Sequence, residues 1–253
     1  MMIDSWLSFP VGILIATIVS TVGIGGGILW MPFLLILLKL QPDKAVFTSL
    51  LIQTAGMGSG AFAYWQKKQI DYQLMLLLLG VALPGIAVGA FLTRILSPQH
   101  LEFILGSITL ATALIFVSAN QRYGDSGRDR AELRVARRYG PGISAMAVAS
   151  GMLSISIGEW LVPLMRSKLS LRMNIAVATS VATIFGTCVI GAAAHFCMQG
   201  QVDGPSLAWA VPGVIIGGQI GPRIAERIND RILKEIFIFL LTLIGIHLIY
   251  NSY

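Results

Sequence analysis

Residues 23–32 read Gly23-Ile24-Gly25-Gly26-Gly27-Ile28-Leu29-Trp30-Met31-Pro32, and their surroundings decide the fold. They lie inside a charge-free run, residues 5–38, that is longer than one ordinary bilayer crossing of roughly 17 to 25 residues. Four glycines at its centre disfavour a regular helix, because glycine loses more backbone freedom than any other residue. In hydrocarbon, irregular backbone survives only where it is buried in protein or lines a polar cavity. The run therefore predicts two segments separated by a break near mid-membrane.

Composition places the rest of the chain in the same solvent. Of 253 residues, 55% are hydrophobic and 12% charged, with a mean hydropathy of +0.78, which excludes a soluble domain with a charged surface. The net charge of +6 is read as topology, since basic residues favour cytoplasmic loops, and not as nucleic-acid binding. Cys188 and Cys197 lack metal or disulfide spacing and read as helix residues. Asp4, with no basic residue before the first apolar run, argues against a cleaved signal peptide and predicts a retained first helix.

Further charge-free runs cover residues 45–66, 72–93, 103–121, 139–158, 173–202, 204–222 and 236–253. The expectation is an all-α polytopic membrane protein with eight to ten transmembrane or re-entrant segments, a stretch at residues 155–165 supplying a short partner to the first break. The polar stretch at residues 122–139 carries Arg122, Arg128, Arg130, Arg134, Arg137 and Arg138 and reads as a cytoplasmic linker with a surface helix over residues 128–138. It separates a first repeat, residues 1–121, from a second, residues 140–253.

The halves echo each other. Pro32, Ala45, Thr48-Ser49 and Gly60-Ala61 recur 131 positions later as Pro163, Ala176, Thr179-Ser180 and Gly191-Ala192. Asp71 recurs as Asp203 at 132, and the Pro84-Gly85 pair is matched to Pro212-Gly213 at 128. Putting Lys67, Lys68, the linker, Arg166, Lys168, Arg172, Arg223, Arg227 and Arg231 in the cytoplasm places matching loops on opposite sides, the signature of inverted repeats.

The duplicated pattern of a glycine run, proline and Ala-x-x-Thr-Ser resembles the TauE/SafE family, the sulfite exporter or four-toluene-sulfonate uptake permease group, over nearly the whole chain. The resemblance implies a multi-pass transporter of the bacterial or archaeal inner membrane, moving sulfite, sulfonates or other small organic anions. It departs from an even duplication where Gly25-Gly26-Gly27 is answered by Ser156-Ile157-Gly158 and then Glu159.

Transport needs a polar site and gates, not bond-making chemistry, and no enzymatic constellation, cofactor motif or metal-ligand cluster is expected; the glycine run lacks the lysine of an ATP-binding loop. Amides at broken helix ends bind anions without a basic side chain. Candidate substrate contacts are Gly25, Gly26, Gly27 and Gly158, the hydroxyls of Thr48, Ser49, Thr179 and Ser180, and the amides of Gln53 and Gln219; capping and helix packing are the alternatives for the hydroxyls and for Gln219. Glu159 supports proton coupling, a structural ion pair or an aqueous loop position. His195, at the position of Tyr64, is a second titratable candidate. The tryptophans Trp30, Trp65 and Trp160 read as interface anchors or an aromatic wall. Partners are the bilayer, a small organic or sulfur-containing anion and a proton or other coupling ion, with self-association left open. An anion channel and a noncatalytic membrane assembly subunit are the competing functions.

Overall fold

The computed structural model describes residues 5–118 and 127–225, together with Thr242, Ile246 and Tyr250, so the last apolar run falls largely outside the described residues. A 3-10 turn leads into α1 (Ser8–Val22), which stops at Gly23. The chain restarts as α2 (Gly27–Pro32), whose last turn widens into a π-helical stretch, Phe33–Leu37, directly after the proline removes a backbone donor. There follow α3 (Pro42–Gln66), α4 (Tyr72–Ile95) and α5 (Pro98–Ser118). Beyond the linker come α6 (Leu133–Arg138), α7 (Gly140–Leu153), α8 (Gly158–Ser167), α9 (Met173–Cys197) and α10 (Gly204–Ile224).

Thus the first charge-free run does divide at its glycines, and α7 and α8 form the second interrupted pair. The surface helix expected over residues 128–138 is shorter than expected. Only Leu133–Arg138 is helical; Arg128 instead forms a parallel bridge with Leu171, donating its N–H to Ser170 O at 2.8 Å and accepting from Arg172 N at 3.0 Å.

Among the described residues three helical stretches are both long and apolar enough to cross a bilayer: Ser5–Val22, Tyr72–Ile95 and Met173–Cys197. Large apolar side chains such as Leu76, Leu83, Phe91, Trp209 and Ile215 point outward, as expected where the surrounding solvent is lipid. The protein is an all-helical, multi-pass membrane protein.

Packing crosses between the halves. α1 lies on α10, α7 lies on α4, and α3 and α9 pair at the centre. Glycines make the close crossings: a Cβ on Gly217 would strike Ile13 O, and one on Gly85 would strike Ser144 O, with Ile13 and Ser144 themselves 131 apart. Gly221 meets the Thr17 carbonyl and Gly89 the Val148 carbonyl in the same way. The contacts therefore pair Gly85 with Gly217 and Gly89 with Gly221, at the offset of 132 that also relates Asp71 to Asp203. This corrects the Pro84-Gly85 to Pro212-Gly213 match, because helix-contact glycines and not prolines hold the register.

Candidate functional site at two crossed helix breaks

The α1 and α7 ends are built alike. Gly23 (φ 78°) and Ser154 (φ 58°) adopt the left-handed conformation that ends a helix, and they are 131 residues apart. Glycine is needed at the first, where a Cβ would lie 2.9 Å from Val177 Cα. Ser154 tolerates the same turn because its side chain and carbonyl are held from outside.

Gln53, on α3, supplies that hold. Its Nε2, with two hydrogens shared among three acceptors, lies 2.7 Å from Ser154 Oγ, 3.1 Å from Ser154 O and 3.1 Å from Ser49 Oγ, while Ser154 Oγ and Ser49 Oγ lie 3.0 Å apart. Because a carbonyl accepts only from N–H or O–H, Ser154 O fixes which way the Gln53 amide faces. In the other half Ser180, on α9, donates to Gly23 O at 2.6 Å. Each long central helix thus grips the break of the opposite half through equivalent serines.

The breaks also touch each other. A Cβ on Gly25 would overlap the Ser156 side chain, and one on Gly27 would overlap the Ser154 carbonyl. Ser156 Oγ accepts from Gly158 N at 3.1 Å and donates to Glu159 Oε2 at 3.0 Å. Glu159 stands in the first turn of α8, where a carboxylate suits the positive end of the helix dipole. It is 1% exposed, and backbone amides of Glu159 and Gly25 face its carboxyl group.

Two buried acceptors at this crossing, Glu159 Oε1 and Gln53 Oε1, have no hydrogen-bond partner. Among the described residues Glu159 makes no ion pair, and it is buried in the first turn of α8.

The structure brings together Gly25, Gly26, Gly27, Ser49, Gln53, Gly158, Glu159 and Ser180. Thr48 and Thr179 lie beside them, but their hydroxyl oxygens accept from the backbone N–H of Asp203 (2.9 Å) and Asp71 (3.0 Å), and Thr48 gives its own proton to Lys44 O. Gln219 is elsewhere, on the α10 face against Ser59, donating to its carbonyl at 2.8 Å and hydroxyl at 3.0 Å.

His195 is placed fifteen residues beyond Ser180, roughly 22 Å along α9. Its Nε2 lies 2.9 Å from Gly151 O and its ring stacks on Phe47, as Tyr64 donates its hydroxyl to Ser20 O at 2.9 Å. Ser20 and Gly151 are again 131 apart, so His195 and Tyr64 hold equivalent helix ends.

Trp30 is 1% exposed and packs edge-on against Phe33, with its ring against Gly26. It is a core residue behind the first break and not an interface anchor, whereas Trp65 is exposed. Sequence reasoning missed Ser154, which follows from the 131 offset applied to Gly23, and aligned Ser156 with Gly25 without giving its hydroxyl a role.

Two interrupted helices meeting across a buried polar cluster, inside a bundle with an apolar outer surface, define a membrane transport protein. The sulfite exporter TauE/SafE model matches residues 8–248, and the chain belongs to that family of transporters, not enzymes. Similar proteins from Bacillus subtilis (strain 168) are named "Probable membrane transporter protein YunE", 26% identical over 95% of this chain and 96% of its own length, and "Probable membrane transporter protein YdhB", 23% identical over 94% and 97%. A third, "Probable membrane transporter protein YjnA", is 26% identical over 90% and 94%. No solved structure matches the chain.

Proposed function

We propose that this chain is a proton-coupled secondary transporter of small oxyanions such as sulfite, sulfonates or organic acids, built from two inverted repeats, residues 1–121 and 140–253, joined by a cytoplasmic linker. The substrate site is the crossing of the two breaks. Amides of Gly25, Gly26, Gly27 and Gly158 with the side chains of Ser49, Gln53 and Ser180 supply donors to the anion, replacing the internal bonds they now make.

One observation carries this reading: a buried carboxyl, Glu159, at the crossing with one oxygen unpartnered. No lysine or arginine is among the buried residues described. A substrate anion beside an ionised Glu159 would meet like charge in a low-dielectric interior, so anion and proton bind favourably together.

Topology has geometric support. Lys67 Nζ donates to Pro222 O at 2.7 Å beside Arg223, and Lys68, Arg130 and Arg172 border one cleft, so these cations gather at one end of the bundle. That end is assigned to the cytoplasm.

The test is flux of sulfite, sulfonates and carboxylates in sealed proteoliposomes with and without a pH gradient. The parent chain is expected to show saturable uptake driven by the gradient, and Glu159→Gln to retain downhill flux while losing the response to pH. Gradient-driven accumulation by Glu159→Gln would remove the carboxyl from coupling. Unchanged affinity and turnover in Ser49→Ala and Ser180→Ala would remove the site.

A further inference from the structure

Two hydrogen bonds tie opposite halves together on either flank of the central cluster. On one flank Asp203 N–H donates to Thr48 Oγ1 at 2.9 Å; on the other Asp71 N–H donates to Thr179 Oγ1 at 3.0 Å. Each aspartate is the N-cap of a long helix, accepting from Ser206 N to start α10 or from Leu74 N to start α4. Each threonine directly precedes a serine of the central cluster, Ser49 or Ser180. A clasp of this kind therefore fastens one half's helix end to the other half's substrate-bearing helix, one residue from the site.

We propose that the two clasps are the latches of the two gates: Thr48 with Asp203 closes the extracellular route, Thr179 with Asp71 closes the cytoplasmic route, and each transport cycle releases one while the other holds. This rests on the transporter and topology proposed above. In the present structure both latches are closed and the cluster between them is buried, an occluded arrangement.

Each latch is a single hydrogen bond, worth a factor of roughly five in an equilibrium, so binding of an anion or proton has leverage over it. The latches differ in what backs them. Asp203 is also bridged by Lys44 Nζ at 3.1 Å. Asp71 Oδ2 instead accepts from Ala131 N at 2.8 Å, which ties the cytoplasmic latch to the linker. Outside that latch lies a cleft of about 620 Å³ bordered by Lys68, Arg130, Arg172 and Asn174 together with Asp71 and Asp129, the last paired with Arg172 at 3.1 Å, a polar approach to the closed gate.

Side-specific labelling tests the latches without reference to any substrate. With Cys197→Ser, the buried Cys188 is the sole thiol; it lies one turn along α9 from Ile184, whose side chain packs against Gly158 next to Glu159, so its labelling reports access to that region. In oriented proteoliposomes, Thr48→Val is expected to raise Cys188 labelling by a membrane-impermeant maleimide roughly fivefold from the extracellular side only, and Thr179→Val from the cytoplasmic side only. Thr48→Ser and Thr179→Ser, which keep the hydroxyl, restore the parent rates. Lys44→Met, which removes only the bridge backing Asp203, gives a smaller extracellular increase and serves if a valine variant does not fold. Equal changes from both sides, or no change in any variant, would overturn the proposal. Anion flux in the same vesicles reports separately on the transport reading.

Discussion

At the scale of single residues, the positions with no room are the most informative. Gly27 abuts the Ser154 carbonyl and Gly25 the Ser156 side chain, so adding one methyl must push the two breaks apart. Gly27→Ala is expected to lower stability by more than about 2 kcal/mol, measured as the thermal midpoint of the purified protein in detergent. Asp203, the N-cap of α10 and extracellular in the proposed topology, offers a pH test. Burial alone would raise its carboxyl, but hydrogen bonds from the Ser206 hydroxyl and amide, together with Lys44, outweigh that and hold it below the ordinary carboxylate value. A lowered carboxyl contributes stability above its unfolded value and loses it as pH falls through the folded one. Asp203→Asn should therefore cost about 1 kcal/mol at pH 7, and the gap to the parent chain should close on acidification.

At the scale of elements, glycine does two separate jobs. At Gly23 it permits a left-handed turn; at Gly85, Gly89, Gly217 and Gly221 it lets helix backbones approach. Gly217→Ala should drive α10 from α1 and destabilise the protein, whereas Gly80→Ala, exposed on α4 with open space around it, should stabilise by about 0.5 kcal/mol through helix propensity alone; paired melting curves compare them. The breaks were legible in the sequence because glycine clusters interrupt long apolar runs, and Thr48, Ser49, Thr179 and Ser180 because they recur at one spacing. What each hydroxyl does was not legible. Thr48 and Ser49 are adjacent and chemically alike, yet one meets the opposite half's helix cap and the other its break, since neighbouring residues on a helix point about 100° apart. Gln219 and His195 drew notice as polar residues in apolar runs, but polarity alone does not say which helix face carries them; both satisfy a carbonyl away from the crossing.

At the scale of the whole molecule, class and membrane placement followed from composition, and the proposed duplication rests on spacing, because both are properties of many residues at once. The crossing of the halves is a tertiary fact carried by a few close contacts, such as Gly25 against Ser156, to which no pattern within either half points. The proposed topology is checked by single cysteines at Lys68 and Lys39: an impermeant reagent added outside intact cells should label Lys39→Cys and spare Lys68→Cys.

The meeting of Gly25 with Ser156 has one more consequence. A residue 131 positions from its neighbour across the contact is that neighbour's own counterpart, so a twofold axis relating the halves as proposed passes between them. In two identical copies of the second half arranged about that axis, Glu159 would stand on both sides of the crossing, and like charges held in a buried site disfavour each other's ionisation. The single continuous chain has Ile28, and not a second carboxyl, at the position equivalent to Glu159. If Glu159 carries the proton as proposed, the single chain offers one titrating carboxyl at this crossing, and so one proton for each turn of the cycle.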